Sequence, residues 1–199
     1  MRLSRKELSG YMENWDDRTR AVLVLRMEER FRRLALEHFS SDEAVLLGAV
    51  LDRLIPQDEG ERIDLVGFVD GALGKPLGRG DRREGIPEEA GLFHKGLTGI
   101  QETAQAMFGR SFVELHETQQ DAVLGAIQDG AAKGGVWRDI PSPYFFTRLM
   151  TKALTGYCAH PFAWMRMGFP GPSYPEGYVW ITEQEVQARR RHFPGWKTL

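Results

Sequence analysis

Five histidines, one cysteine and a few adjacent carboxylates are the side chains of this 199-residue chain that could carry chemistry. A helical metal site needs ligands on one face, most simply two histidines three or four residues apart. His38, His94, His116, His160 and His192 are never so spaced. Structural or solvated roles are expected for each, and no metal is expected. Cys158 could be a nucleophile if a base and an electropositive setting activated its thiol. His160 lies two residues on, which on a helix turns it to another side. A lone cysteine among aromatics is expected to be a small buried hydrophobe. It excludes an internal disulfide or a thiolate cage, but leaves open a bridge to a cysteine on another chain. Glu28-Glu29, Asp58-Glu59 and Glu88-Glu89 sit in charged stretches and make no acid–base pair. Gly74-Lys75 lacks the spaced glycine and following hydroxyl of a phosphate cradle. No nucleophile elbow or dinucleotide fingerprint occurs, so no catalytic residue is assigned.

What stands out instead is a segment. Ten of the 21 aromatic residues fall between Tyr144 and Thr182, around the single cysteine. From Gly156 to Tyr178, glycine and proline alternate with large aromatics. The reading is an irregular, turn-rich wrap over residues 156–180, because proline and glycine interrupt regular helix. Aromatics, Met and Arg are enriched at interface cores. The wrap therefore either packs over its own helices or docks on another protein, and composition does not choose between them.

The elements that must position this segment read as helices. A run over 17–38 places Val24, Met27, Phe31, Leu34 and Ala35 on one face. Ser40 and Glu43 have capping-box spacing before a run to Ile55 that is apolar on most faces, which predicts a central buried helix stopped by Pro56. Residues 63–73 form a short apolar stretch weakened by Gly67 and Gly71, and 74–85 a surface loop. Over 88–108, Phe93, Leu97, Ile100, Ala104 and Met107 recur at steps of four, three, four and three, with Gly109 as the stop. A helix follows over 117–132, and Pro141 and Pro143 open another carrying Phe146, Leu149, Met150, Ala153 and Tyr157. Thr182 and Glu185 precede a short basic helix with Arg189, Arg190 and Arg191. The one strand-like stretch is Tyr178 to Ile181. The expected fold is all-α: a loose arm over 1–15, then a single-domain bundle of about six or seven helices over 16–199 ending in the wrap.

Composition narrows the partners. A formal charge of −2 from 26 basic and 28 acidic residues gives no global field for nucleic acid or an anionic membrane. No stretch approaches the roughly 18 apolar residues of a spanning helix. Ser4-Arg5-Lys6-Glu7-Leu8 has something of a twin-arginine export motif, but Glu13, Asp16 and Asp17 stand where an apolar run is required. The expected location is cytoplasmic, and periplasmic only if a signal-bearing partner carries the chain.

Several motifs together resemble the gluconate 2-dehydrogenase subunit 3 family, the small subunits of flavin-dependent sugar and polyol dehydrogenases. They are Leu54-Ile55-Pro56-Gln57-Asp58, Phe112 with Gln119-Gln120, Tyr144-Phe145-Phe146, and Thr155-Gly156-Tyr157 through Gly168-Phe169-Pro170-Gly171. His160-Pro161-x-Ala163-Trp164 followed by Pro172-x-Tyr174-Pro175-x-Gly177-Tyr178 is similar to a subgroup of that family, from which Arg166 and Met167 depart. The resemblance implies a non-catalytic helical subunit that binds no cofactor itself. It would support a large subunit of the glucose–methanol–choline type, which holds FAD and oxidises the sugar alcohol. On this reading the partner-binding residues are Tyr157, His160, Pro161, Trp164, Phe169, Tyr174 and Tyr178, with Cys158 as a candidate intersubunit thiol. The alternative is a stand-alone enzyme or sugar-binding module with Trp164, Tyr174 and Trp180 as stacking platforms and His160 as base.

Overall fold

A computed structural model describes residues 5–13, 15–57, 62–74, 84–169 and 171. The expected surface loop at 74–85 lies largely outside them, and the strand-like Tyr178 to Ile181 and the basic helix after Thr182 lie wholly outside. Among the described residues there are eight α-helices and no strand, so the fold is all-α. None of these helices is long and apolar enough to cross a membrane. The chain divides into two compact units, one of Leu25–Ala163 and one holding the residues up to Val24 and from Trp164 onward.

In the Leu25–Ala163 unit the hub is α5 (Glu89–Phe108), which packs against α3 (Ser41–Leu54), α6 (Glu117–Gln128) and α7 (Ser142–Cys158). The four-three spacing dictates this: Phe93, Leu97, Ile100 and Ala104 fall on one stripe and all are buried. Burying each of the larger ones stabilises by roughly 2 kcal/mol. Gly109 ends α5 in the left-handed region at φ 69°, where a side chain would be strained. Two glycines inside α5 let neighbours approach its backbone. A Cβ on Gly96 would lie 2.0 Å from Phe145 of α7, and one on Gly99 would lie 2.4 Å from Trp137. Trp137 is then fixed by its indole N–H, which donates to Thr103 Oγ1 at 2.8 Å.

The capping box forms as expected. Glu43 N–H donates to Ser40 Oγ, and Ser40 N–H donates to the Glu43 carboxylate at 2.9 Å. However, α3, though packed against several neighbours, is not buried on most faces. Leu47, Val50 and Leu51 are buried, whereas Val45 is 63% exposed, so its apolar surplus faces outward. His116 caps α6 through its ring nitrogen, a role that histidine statistics do not suggest. On α7 the inward stripe is Phe145, Leu149, Ala153 and Gly156, displaced from the expected Phe146, Met150 and Tyr157, which are half-buried.

The largest departure is in α2 (Asp17–Glu29), expected to run to His38. Arg30 and Phe31 take φ of 50° and 61° and end the helix. Left-handed backbone costs of order 1 kcal/mol at each such residue, so tertiary contacts must hold it. They do: Arg30 O accepts from Asp64 N–H, the Arg30 guanidinium lies 5.1 Å over the Phe162 ring, and Phe31 packs 5.0 Å from Phe68. The face drawn through Val24 and Leu34 does not exist beyond this turn, and both are exposed.

In the other unit, the expected loose arm holds a helix, α1 (Arg5–Met12), with Leu8 and Met12 buried. Arg20 ties its end by donating to Met12 O at 3.1 Å and Trp15 O at 2.9 Å. Asp16 starts α2, accepting from the Thr19 hydroxyl and the Arg18 and Thr19 amides. The Thr19 hydroxyl, first among these, holds its carboxyl below the usual range.

Candidate partner-binding site

The segment expected to wrap irregularly from residue 156 is helical over much of its described length. α7 continues to Cys158, and Pro161 opens α8 (Pro161–Met167), because proline suits a first helical turn where its missing N–H is not required. What breaks the chain is the corner at Ala159-His160.

His160 fastens this corner. Its side chain is fully buried. Nδ1 accepts from Phe162 N–H at 3.1 Å, so Nε2 carries the proton and donates to Arg26 O at 2.9 Å. Arg26 reciprocates through its guanidinium, which donates to Ala159 O at 2.8 Å. Phe31 and Phe162 pack on the imidazole at 5.4 and 4.8 Å. Burial pushes the His160 pKa down to about 4, against a smaller upward pull from the Arg26 carbonyl, with the Arg26 and Arg30 charges also lowering it. The ring is therefore a neutral, doubly bonded strut.

A second buried group, which sequence reasoning missed, holds the segment between α2 and α3. Asp70 of α4 (Leu65–Leu73) has no exposed surface. Its carboxylate accepts from the amides of Glu37, His38 and Phe39 at 2.9, 2.9 and 3.2 Å, with Arg33 Nε at 3.5 Å. Burial raises its pKa, but the three amides and Arg33 outweigh it and hold the carboxyl below its ordinary value. Gly67 belongs to this arrangement, since a Cβ there would meet Phe31 O at 2.6 Å. A single aspartate in a glycine-weakened apolar stretch gave no signal in the sequence.

In the unit that begins again at Trp164, the aromatic residues meet around a glycine. Gly171 has φ of 103°, and a Cβ on it would lie 2.4 Å from Trp15. The Trp164 and Phe169 rings pack edge to face at 5.6 Å. Gly168, at φ 69°, ends α8, and Phe169 N–H donates back to Trp164 O at 2.9 Å.

The residues expected to meet a partner thus separate. His160, Pro161 and Trp164 are buried, and Tyr157 is half-buried. Phe169 is 45% exposed. Tyr174, Tyr178 and Trp180 lie outside the described residues. Cys158, expected to be buried, is exposed at the end of α7, because the inward stripe of that helix passes through Ala153 and Gly156 instead. Among the described residues no group of three or more metal-ligating side chains converges.

No curated protein and no solved structure matches the chain. A family model described as gluconate 2-dehydrogenase subunit 3 matches residues 41–171, well over half of it.

Proposed function

The chain belongs to the gluconate 2-dehydrogenase subunit 3 family, and on that premise we propose that it binds and stabilises the large subunit of a flavin-dependent sugar or polyol dehydrogenase. The large subunit, of the glucose–methanol–choline type, holds FAD and performs the oxidation; this chain contributes structure and no catalytic group. The single observation that carries the reading is the family match, which spans α3 to the Gly171 turn. The state of His160 speaks against the stand-alone enzyme. A general base needs an accessible lone pair and a pKa near the working pH. His160 has neither, with both nitrogens bonded, no exposed surface and a pKa near 4.

The test is co-expression with the glucose–methanol–choline-type flavoprotein of the same genome, followed by size-exclusion chromatography with a visible absorbance scan. The expected result is co-elution of both chains with a flavin spectrum, and a flavoprotein that is less soluble or less active without this chain. A purified chain that oxidises a sugar without flavin would overturn the reading, as would a flavoprotein indifferent to its presence.

A further inference from the structure

Among its described residues the Leu25–Ala163 unit presents an apolar groove away from the His160 corner. It is about 530 Å³ in volume and runs between α3, α5 and the 3-10 turn Phe112–Glu114. Leu97 is buried in its floor, while Val45 and Val113 on its walls are 63% and 42% exposed. The exposure of Val45 has no counterpart in the needs of the core, since α3 already buries Leu47, Val50 and Leu51. Asp42, Glu43 and Glu102 also line it, with Glu43 bonded to His94 Nδ1 at 2.6 Å and Glu102 accepting from Val136 N–H at 3.1 Å. Across Glu102 the groove meets a second hollow that ends at Gly134-Gly135. Among the described residues, no lysine or arginine lines either one. An apolar floor with a rim of a single sign is the pattern of an interface core whose partner supplies the opposite charge.

We propose that this groove is the docking surface for a basic, apolar segment of the partner subunit. Apolar side chains of that segment seat between Val45 and Val113, and a flanking lysine or arginine pairs with Asp42 and Glu102. The assignment rests on the reading of this chain as a small subunit, and it moves the contact from the C-terminal aromatic segment to the face formed by α3 and α5.

The test uses the full chain co-expressed with the flavoprotein. Val45→Asp, Val113→Asp and Asp42→Lys alter exposed positions, so far-UV circular dichroism and melting temperature should match the parent. Each is expected to weaken the complex at least tenfold. A photo-crosslinking residue at position 45 in the otherwise unchanged chain should capture a flavoprotein peptide with Lys or Arg beside apolar residues, whereas one at the exposed Leu154 of α7 should capture none. If the parent binds and all three variants bind equally well, the groove is overturned and the small-subunit reading stands. Cross-links from position 45 to a second copy, or within the same chain, also overturn the groove. A parent chain that binds no such flavoprotein overturns both.

Discussion

Acidification should unlock the His160 corner, and the size of the effect follows from its geometry. The folded state keeps the imidazole neutral because Nδ1 must accept from Phe162 N–H, and its pKa lies near 4. An unfolded histidine titrates near 6.5. A group whose folded pKa is depressed gives stability that is fully present above its unfolded value and lost as pH falls towards the folded one. At pH 5 the unfolded chain gains about thirtyfold from protonation at this site relative to the folded chain, which is about 2 kcal/mol, against almost nothing at pH 7.5. The Asp70 and Glu43 carboxyls are also lowered, but from ordinary values near or below 4.5, so they act below this interval. Urea unfolding followed by tryptophan fluorescence at pH 7.5 and pH 5 should therefore show this loss. His160→Gln should be less stable than the parent at pH 7.5 and nearly free of the difference between the two pH values. Equal stability of the parent at both, or a glutamine variant that retains the 2 kcal/mol difference, would refute the argument.

Asp70→Ala should cost about 1–3 kcal/mol, since it leaves the buried Phe39 amide and the part-buried Glu37 and His38 amides without their acceptor. Hydrogen exchange at those amides should accelerate out of proportion to that within α3, which they precede. Two glycine-to-alanine changes should have opposite signs in thermal melts. At Gly96 the new Cβ meets the buried Phe145 ring at 2.0 Å, and overpacking should cost about 1–3 kcal/mol. At Gly125 in α6 nothing lies within 4 Å, so helix propensity alone should stabilise by about 0.5–1 kcal/mol. Ser40→Ala should remove the cap of α3 and cost about 1 kcal/mol in the same assay.

Local rules made much of the fold legible. The stripe of α5 with its terminal glycine, the capping box of α3 and the prolines opening α7 all follow from side chains close in sequence. The failures share one cause, which is that distant groups decided the local conformation. No glycine or proline marks the end of α2; Arg30 and Phe31 adopt left-handed backbone because Asp64, Phe68 and Phe162 hold them there. The His-Pro motif was legible as a feature but not as a strut, since the partner of His160 Nε2 is a carbonyl at the far end of α2. Gly and Pro in that motif read uniformly as breakers, yet Pro161 starts a helix and Gly168 ends it. Asp70 was invisible because its ligands are backbone amides, which carry no sequence identity.

The pairing of Trp15 with Gly171 sets an order of events during synthesis. The indole that fills the space over Gly171 leaves the ribosome early, and the glycine that admits it emerges only after the whole of Leu25–Ala163 has been made. Domains fold as their residues become available, N-terminal parts first. Here that rule inverts: the contiguous Leu25–Ala163 unit can complete its core while Trp15 still waits for its counterpart. A chain stalled before residue 164 therefore lacks the glycine against which the Trp15 ring packs.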